Sequence, residues 1–244
     1  MSIPKVIHYC WFGRGKMPAH AEKCLASWKK YCPDFEIIRW DEDNFDFSQN
    51  AYAAEAYRAG KWAFVSDYAR LYVIEKYGGS YLETDVELIK PLTPLLELTG
   101  YMGIDERGVV CTGLGFGAER GNKIVGEMLA DYDGIHFVKP DGTYDMTPCP
   151  DRNTALLAML GAVNENIVGT FSDMTFLPSD FLCPKNYYTG KTEITGNTYS
   201  IHHYDASWIS PTARRTTYIK RIIGVKLYNK LYGKFLHKFK WLEW

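Results

Sequence analysis

From Lys5 onward, strand-like and helix-like runs alternate, and no other feature of the 244-residue chain restricts its fold as strongly. Lys5 to Trp11 is β-rich, Ala19 to Tyr31 helical, Glu36 to Trp40 a strand, Ala51 to Ala59 a helix, and Trp62 to Tyr77 a further helix. Strands separated by helical crossovers pair in parallel. The pattern therefore predicts an α/β fold, a Rossmann-like and mostly parallel sheet flanked by helices. In open sheets of this kind ligands sit beyond the C-terminal ends of the strands, where Trp11 and the stretch Glu83 to Asp85 would lie. After Asp85 the signals are less regular. Cys111 to Gly117 is glycine-rich, Asn122 to Tyr132 and Asn153 to Ala162 read as helical, and Ser179 to Asn197 reads as loop.

A chain of this length with 46% hydrophobic residues can bury a large core as one unit. Met1 to Lys5 lacks an apolar leader core and no run of 18 or more apolar residues occurs, so a cytoplasmic protein is expected. The six cysteines (10, 24, 32, 111, 149 and 183) fall at no Cys-x-x-Cys spacing and read as reduced thiols.

The densest chemical signal runs from Ser66 to Asp85. Gly78-Gly79 ends the helical pattern, and Tyr81 to Val86 then reads as a short strand. On one strand Glu83 and Asp85 share a face, with Tyr81 beside them. Two hard oxygen donors at that spacing suit Mg2+ or Mn2+, which take remaining ligands from substrate phosphates; the plain alternative is a solvated acidic face. Upstream, Asp67 and Arg70 stand i, i+3 on a helix that is apolar almost all round. They either pair locally or point into a polar cleft.

Ser-Asp-x-x-Arg followed by Gly-Gly-x-Tyr-Leu-acid-x-Asp resembles the family 32 glycosyltransferases, whose catalytic core is shared by the large glucosylating toxins. The likeness includes Ile3 to Gly13, Pro33 to Glu36, Trp40-Asp41 and His202-His203-Tyr204-Asp205-Ala206-Ser207-Trp208. One departure is the first acid of the family's Asp-x-Asp, which is Glu83 here. The resemblance implies a GT-A fold and transfer from a nucleotide-sugar donor, with a UDP-sugar favoured over a guanosine one and with retention of anomeric configuration. It makes Asp85, Asp67 and Arg70 the catalytic candidates. Trp11, Asp67, Arg70, Tyr81, Glu83, Ser207 and Trp208 would bind donor, and Asp85, Glu83 and His203 would hold Mn2+ or Mg2+, with His202 the rival of His203. The acceptor would be a glycan or lipid-linked oligosaccharide.

Two other readings compete. Gly113-Leu114-Gly115-Phe116-Gly117-Ala118 matches the dinucleotide fingerprint, follows a possible strand at Val109 to Thr112 and has Asp131 and Asp133 about 20 residues on, which would make the chain an NAD-type oxidoreductase. The 15% aromatic content would also suit a non-catalytic carbohydrate-binding module. A glycosidase is disfavoured, since its two carboxylates flank the scissile bond, whereas adjacent same-face acids favour a shared cation.

Charge divides the chain at its C-terminal end. Residues 214–244 contain nine Lys or Arg and one acid, a net of +8, so residues 1–213 carry −9 against −1 for the whole. Ile223, Leu227, Leu231, Phe235 and Phe239 recur every four residues beside a row of Lys226, Lys230, Lys234 and Lys238. That pattern predicts a basic amphipathic helix lying on an anionic membrane surface, with a catalytic domain over residues 1–212 and a tail over 213–244. Nucleic acid is not an expected partner.

Overall fold

In a computed structural model of the protein, the described residues are 2–162 and 165–205, with isolated positions between 215 and 228. Ser207, Trp208 and nearly all of the 214–244 tail, including its expected helix, lie outside them.

The chain order is β1 (Val6–Cys10), α1 (Ala19–Tyr31), β2 (Glu36–Trp40), α2 (Ala51–Arg58), α3 (Trp62–Tyr77), β3 (Gly79–Tyr81), β4 (Val86–Leu88), β5 (Gly100–Gly103), β6 (Phe116–Ala118), α4 (Lys123–Ala130), α5 (Cys149–Met159), β7 (Gly169–Phe171), β8 (Met174–Leu177), α6 (Ser179–Leu182) and β9 (Ser200–His202). Seven strands form one sheet in the order β2-β1-β3-β6-β5-β8-β7, and β4 pairs with β9 in a second sheet. The β1 strand is parallel to β2 and β3, and β5 is parallel to β8. Only β6 and β7 run against the others in the large sheet. The expected α/β architecture, with strands mostly in one direction and helices against them, is borne out.

Alternation along β1 separates the two cores. Ile7 and Tyr9 pack with Trp28 of α1, whereas Cys10 joins the cluster containing Phe64, Val65, Leu71 and Ile74 of α3 and Ile124 of α4. Helix α2 starts where the Asn50 side chain accepts from the Ala53 N–H at 3.1 Å, and α4 where Asn122 accepts from Val125 at 3.1 Å. Helix α3 ends at Gly78, whose φ is 68°. Gly79 follows at φ 104°, and a Cβ there would stand 3.0 Å from the Val6 carbonyl oxygen and the His8 ring. That glycine lets β3 lie close beside β1.

Three expectations change. Tyr81 to Val86 is not one strand: β3 ends at Tyr81, a turn closed by Val86 N–H to Glu83 O at 3.0 Å follows, and β4 enters the other sheet. Glu83 and Asp85 therefore share a turn, and the two-residue strand period does not place them. The Cys111 to Ala118 stretch is a 3-10 turn (Thr112–Leu114) and then β6, packed antiparallel between β3 and β5. A dinucleotide fingerprint needs a helix N-terminus after its glycines, so the oxidoreductase reading loses its site. Finally, α5 begins at Cys149, four residues earlier than its periodicity suggests, with a proline in its first turn where a missing N–H costs nothing. The six cysteines are free thiols, as expected.

Candidate functional site

Arg70 is the centre of the site. Its guanidinium is buried on the inner face of α3, with a side-chain exposure of 3%, and Nη2 meets Asp67 Oδ1 at 2.7 Å and Glu83 Oε1 at 2.6 Å. Nε donates to the Ser66 carbonyl at 3.0 Å, and Nη1 donates to Thr112 Oγ1 at 3.3 Å and to Cys149 Sγ at 3.7 Å. Below it lies the Tyr81 ring, 5.2 Å from the guanidinium carbon. The i, i+3 pairing of Asp67 with Arg70 is thus real, and it is buried instead of lying on an exposed side. Burial pushes the Asp67 and Glu83 carboxyls up, against the pull of Arg70. One cation serves two carboxylates, so this corner keeps surplus negative charge.

Asp85 completes that corner from the β3–β4 turn. Its Oδ1 lies 3.2 Å from His202 Nε2, and its Oδ2 accepts the Asp205 backbone N–H at 2.8 Å. Burial would raise its carboxyl, but the His202 imidazole and the Asp205 N–H outweigh that and hold it well below the usual carboxylate range. Burial in turn works against protonation of His202, yet Asp85 and the more distant Glu83 raise its pKa. His202 Nδ1 is buried without a hydrogen-bond partner among the described residues, so the engaged nitrogen is the one facing Asp85.

These residues fit a divalent cation. Asp85 and Glu83 offer carboxylate oxygens and His202 an imidazole nitrogen, donor types that a divalent cation takes, and a cation bound between Asp85 and His202 would replace their 3.2 Å contact and the proton in it.

Several sequence expectations move. The His203 side chain does not face Asp85: its Nε2 meets Glu87 Oε2 at 2.9 Å, and only its backbone N–H reaches Asp85, donating to the carbonyl at 3.0 Å. His202 ends β9 facing Asp85, and His203, the first residue after the strand, carries its side chain towards Glu87 instead. Tyr81 is fully buried, so it supports Arg70 from beneath and offers no surface to a donor. Trp11 follows β1, with its indole N–H donating to the Gly15 carbonyl at 2.7 Å. Thr112 and Cys149 were missed because they reach Arg70 from 42 and 79 residues away, and no local pattern signals such a contact. Asp205 stood inside the late motif but had no assigned task.

Residues 18–101 match the family described as the glycosyltransferase sugar-binding region containing a DXD motif. That stretch holds Asp67, Arg70, Glu83 and Asp85, so the resemblance read from the sequence is borne out and the chain carries a sugar-transferase signature. Inositol phosphoceramide mannosyltransferase 3 of Schizosaccharomyces pombe is 30% identical over 109 residues, which is 41% of this chain and 29% of that protein. The chain thus matches less than a third of that relative's length. Among solved structures, the PaToxG glycosyltransferase aligns with a TM-score of 0.48 at 18% identity, over 66% of this chain and 70% of that one. The galactosyltransferase LgtC, in complex with donor and acceptor sugar analogs, aligns with a TM-score of 0.45 at 15% identity, over 94% and 95%.

Proposed function

We propose, from the premise that this chain carries a glycosyltransferase sugar-binding region, that it is a metal-dependent retaining glycosyltransferase moving a sugar from a nucleotide-sugar donor to a glycan or lipid-linked acceptor. The observation that carries this reading is the buried Asp67–Arg70–Glu83 cluster set beside the Asp85–His202 pair, three carboxyls and an imidazole gathered at one corner.

Breaking the bond between the anomeric carbon and the diphosphate puts growing negative charge on the phosphate. Asp85 and His202 would hold a divalent cation, which would supply positive charge to that leaving group. Asp85 is kept ionised by its neighbours, which suits a permanent ligand. Arg70 is saturated by its partners and is a positioning residue. It holds one oxygen of Asp67 and one of Glu83, and since the Cys149 thiol also bonds Asp67, the second Glu83 oxygen is the one assigned to donor hydroxyls. Retention requires no separate general base, and none is nominated.

A UDP-sugar is the favoured donor. The named activity of the fission-yeast relative, mannosyl transfer to inositol phosphoceramide, supports a hexose and a lipid acceptor. The +8 charge of residues 214–244 supports work at an anionic, cytoplasmic membrane surface by a peripheral protein. Hydrolysis of a panel of UDP- and GDP-sugars, measured with and without Mn2+, is the test. One sugar nucleotide should turn over only when metal is present. Turnover of none, or turnover unaffected by EDTA, would sink the reading.

A further inference from the structure

We propose that His20, Cys24 and His203 form a second cation site, of the zinc class, which ties α1 to the segment that follows β9. His20 and Cys24 are spaced i, i+4 on α1, so they share one face of that helix. His203 arrives from the opposite end of the chain, its ring 4.7 Å from that of His20 and nearly perpendicular to it. The three donor atoms lie within 4.8 Å of one another. A tetrahedral zinc ion with these three ligands and water in the fourth position, at Zn–N of about 2.1 Å and Zn–S of about 2.3 Å, brings the protein ligands to about 3.4–3.6 Å. Rotation of the half-exposed His20 and partly exposed His203 side chains covers that difference.

The surroundings are those of a metal site. Asp205 Oδ2 holds His20 Nδ1 at 2.7 Å and Glu87 Oε2 holds His203 Nε2 at 2.9 Å. A metal taking the second nitrogen of each ring would complete the carboxylate–histidine arrangement that orients metal-bound imidazoles. The Cys24 thiol is buried, and burial together with Asp85, Glu87 and Asp205 pushes it up to about 12. That negative field opposes a bare thiolate and attracts a cation. When a cation binds, the thiol gives its proton to solvent and the S–metal bond forms. Two imidazoles and a thiolate select zinc-like ions over Mg2+ or Mn2+, so the site differs in chemistry from Asp85–His202. Its occupation would brace the 203–205 segment, whose Asp205 N–H also holds Asp85. The inference stands apart from the transferase reading, because its test reads metal binding and not turnover.

The test adds Co2+ to the reduced full-length protein. We expect one equivalent to produce a thiolate-to-cobalt charge-transfer band that Zn2+ displaces. Cys24→Ser and His20→Gln should each abolish the band, and Asp85→Asn should keep it. Zn2+ at a hundredfold excess over its Kd should raise Tm by about 5–10 °C in the wild type. Absence of a thiolate band in the wild type, or its survival in Cys24→Ser, overturns the proposal. If Cys24→Ser does not fold, His20→Gln decides, since that side chain is half-exposed and its loss leaves the core intact.

Discussion

The backbone N–H of Asp205 donates to Oδ2 of Asp85 at 2.8 Å, joining residues 120 apart in sequence. The ladder that aligns them pairs Val86 with His202 and Glu87 with Ile201 across β4 and β9. The late motif thereby becomes part of the acidic corner formed by the β3–β4 turn. The first prediction follows from that contact.

Asp85→Asn should lower sugar-nucleotide turnover at least about a hundredfold, the scale seen when one group stabilising transition-state charge is lost. The amide keeps an oxygen for the Asp205 N–H, so far-UV circular dichroism should be unchanged and Tm should fall by only a few degrees. Retention of most activity would remove Asp85 from the cation site.

Arg70→Met should destabilise the fold by about 3–5 kcal/mol, because it leaves the buried Asp67 and Glu83 carboxylates facing each other without their cation. Arg70→Lys should recover little, since an ammonium cannot span two carboxylates, the Ser66 carbonyl and Thr112 at once. Urea unfolding of both variants is the measurement. A lysine variant as stable as the wild type would show that charge alone suffices.

His8 gives a prediction about pH. Its Nε2 lies 2.9 Å from the Gly78 carbonyl, and its Nδ1 accepts the Trp40 indole N–H at 3.0 Å, so the packed ring is neutral. Burial lowers its pKa from 6.5 to about 4, against the Gly78 hydrogen bond that raises it. Between those values the unfolded chain binds the proton and the native chain does not, so stability falls as pH drops from 6.5 towards 4 and is flat below. The loss should reach about 2 kcal/mol by pH 5. His8→Gln, although less stable at pH 7.5, should lose that part of the slope. An unaltered slope would assign the proton to another group.

UDP with Mn2+ should raise the melting temperature, because a ligand that binds only the native state stabilises it by mass action. NAD should leave it unchanged, since Gly113 to Ala118 forms a turn and a strand instead of a helix N-terminus. The reverse result would return the site to those glycines.

Full-length protein should sediment with anionic vesicles, and a chain ending at Pro211 should not. Salt should weaken the binding, because surface charge is screened within about 8 Å at physiological ionic strength. Equal sedimentation of the two would exclude residues 214–244 as the membrane contact.

The first third of the chain was legible because its signals are local. Helices α1 and α3 and strand β2 match their expected bounds to the residue, since apolar period and the Gly78-Gly79 stop act within a few positions. Asp67 and Arg70 were also within reach, being one helical turn apart. The strand after Gly79 was misjudged for a physical reason: Glu83-Thr84-Asp85 is compatible with strand or turn, and the hydrogen bonds that choose between them come from other parts of the fold.

The sequence by itself determined an α/β chain, the identity of the charged residues and the kinship of residues 18–101, because composition, period and spacing are properties of the chain alone. Only the tertiary structure decided that His202 and not His203 turns towards Asp85, that Thr112 and Cys149 close over Arg70, and that His20 and Cys24 meet His203. Those choices depend on the register between β4 and β9 and on the packing of α1 against β4, and long-range register is fixed by the folded core as a whole and written in no single segment.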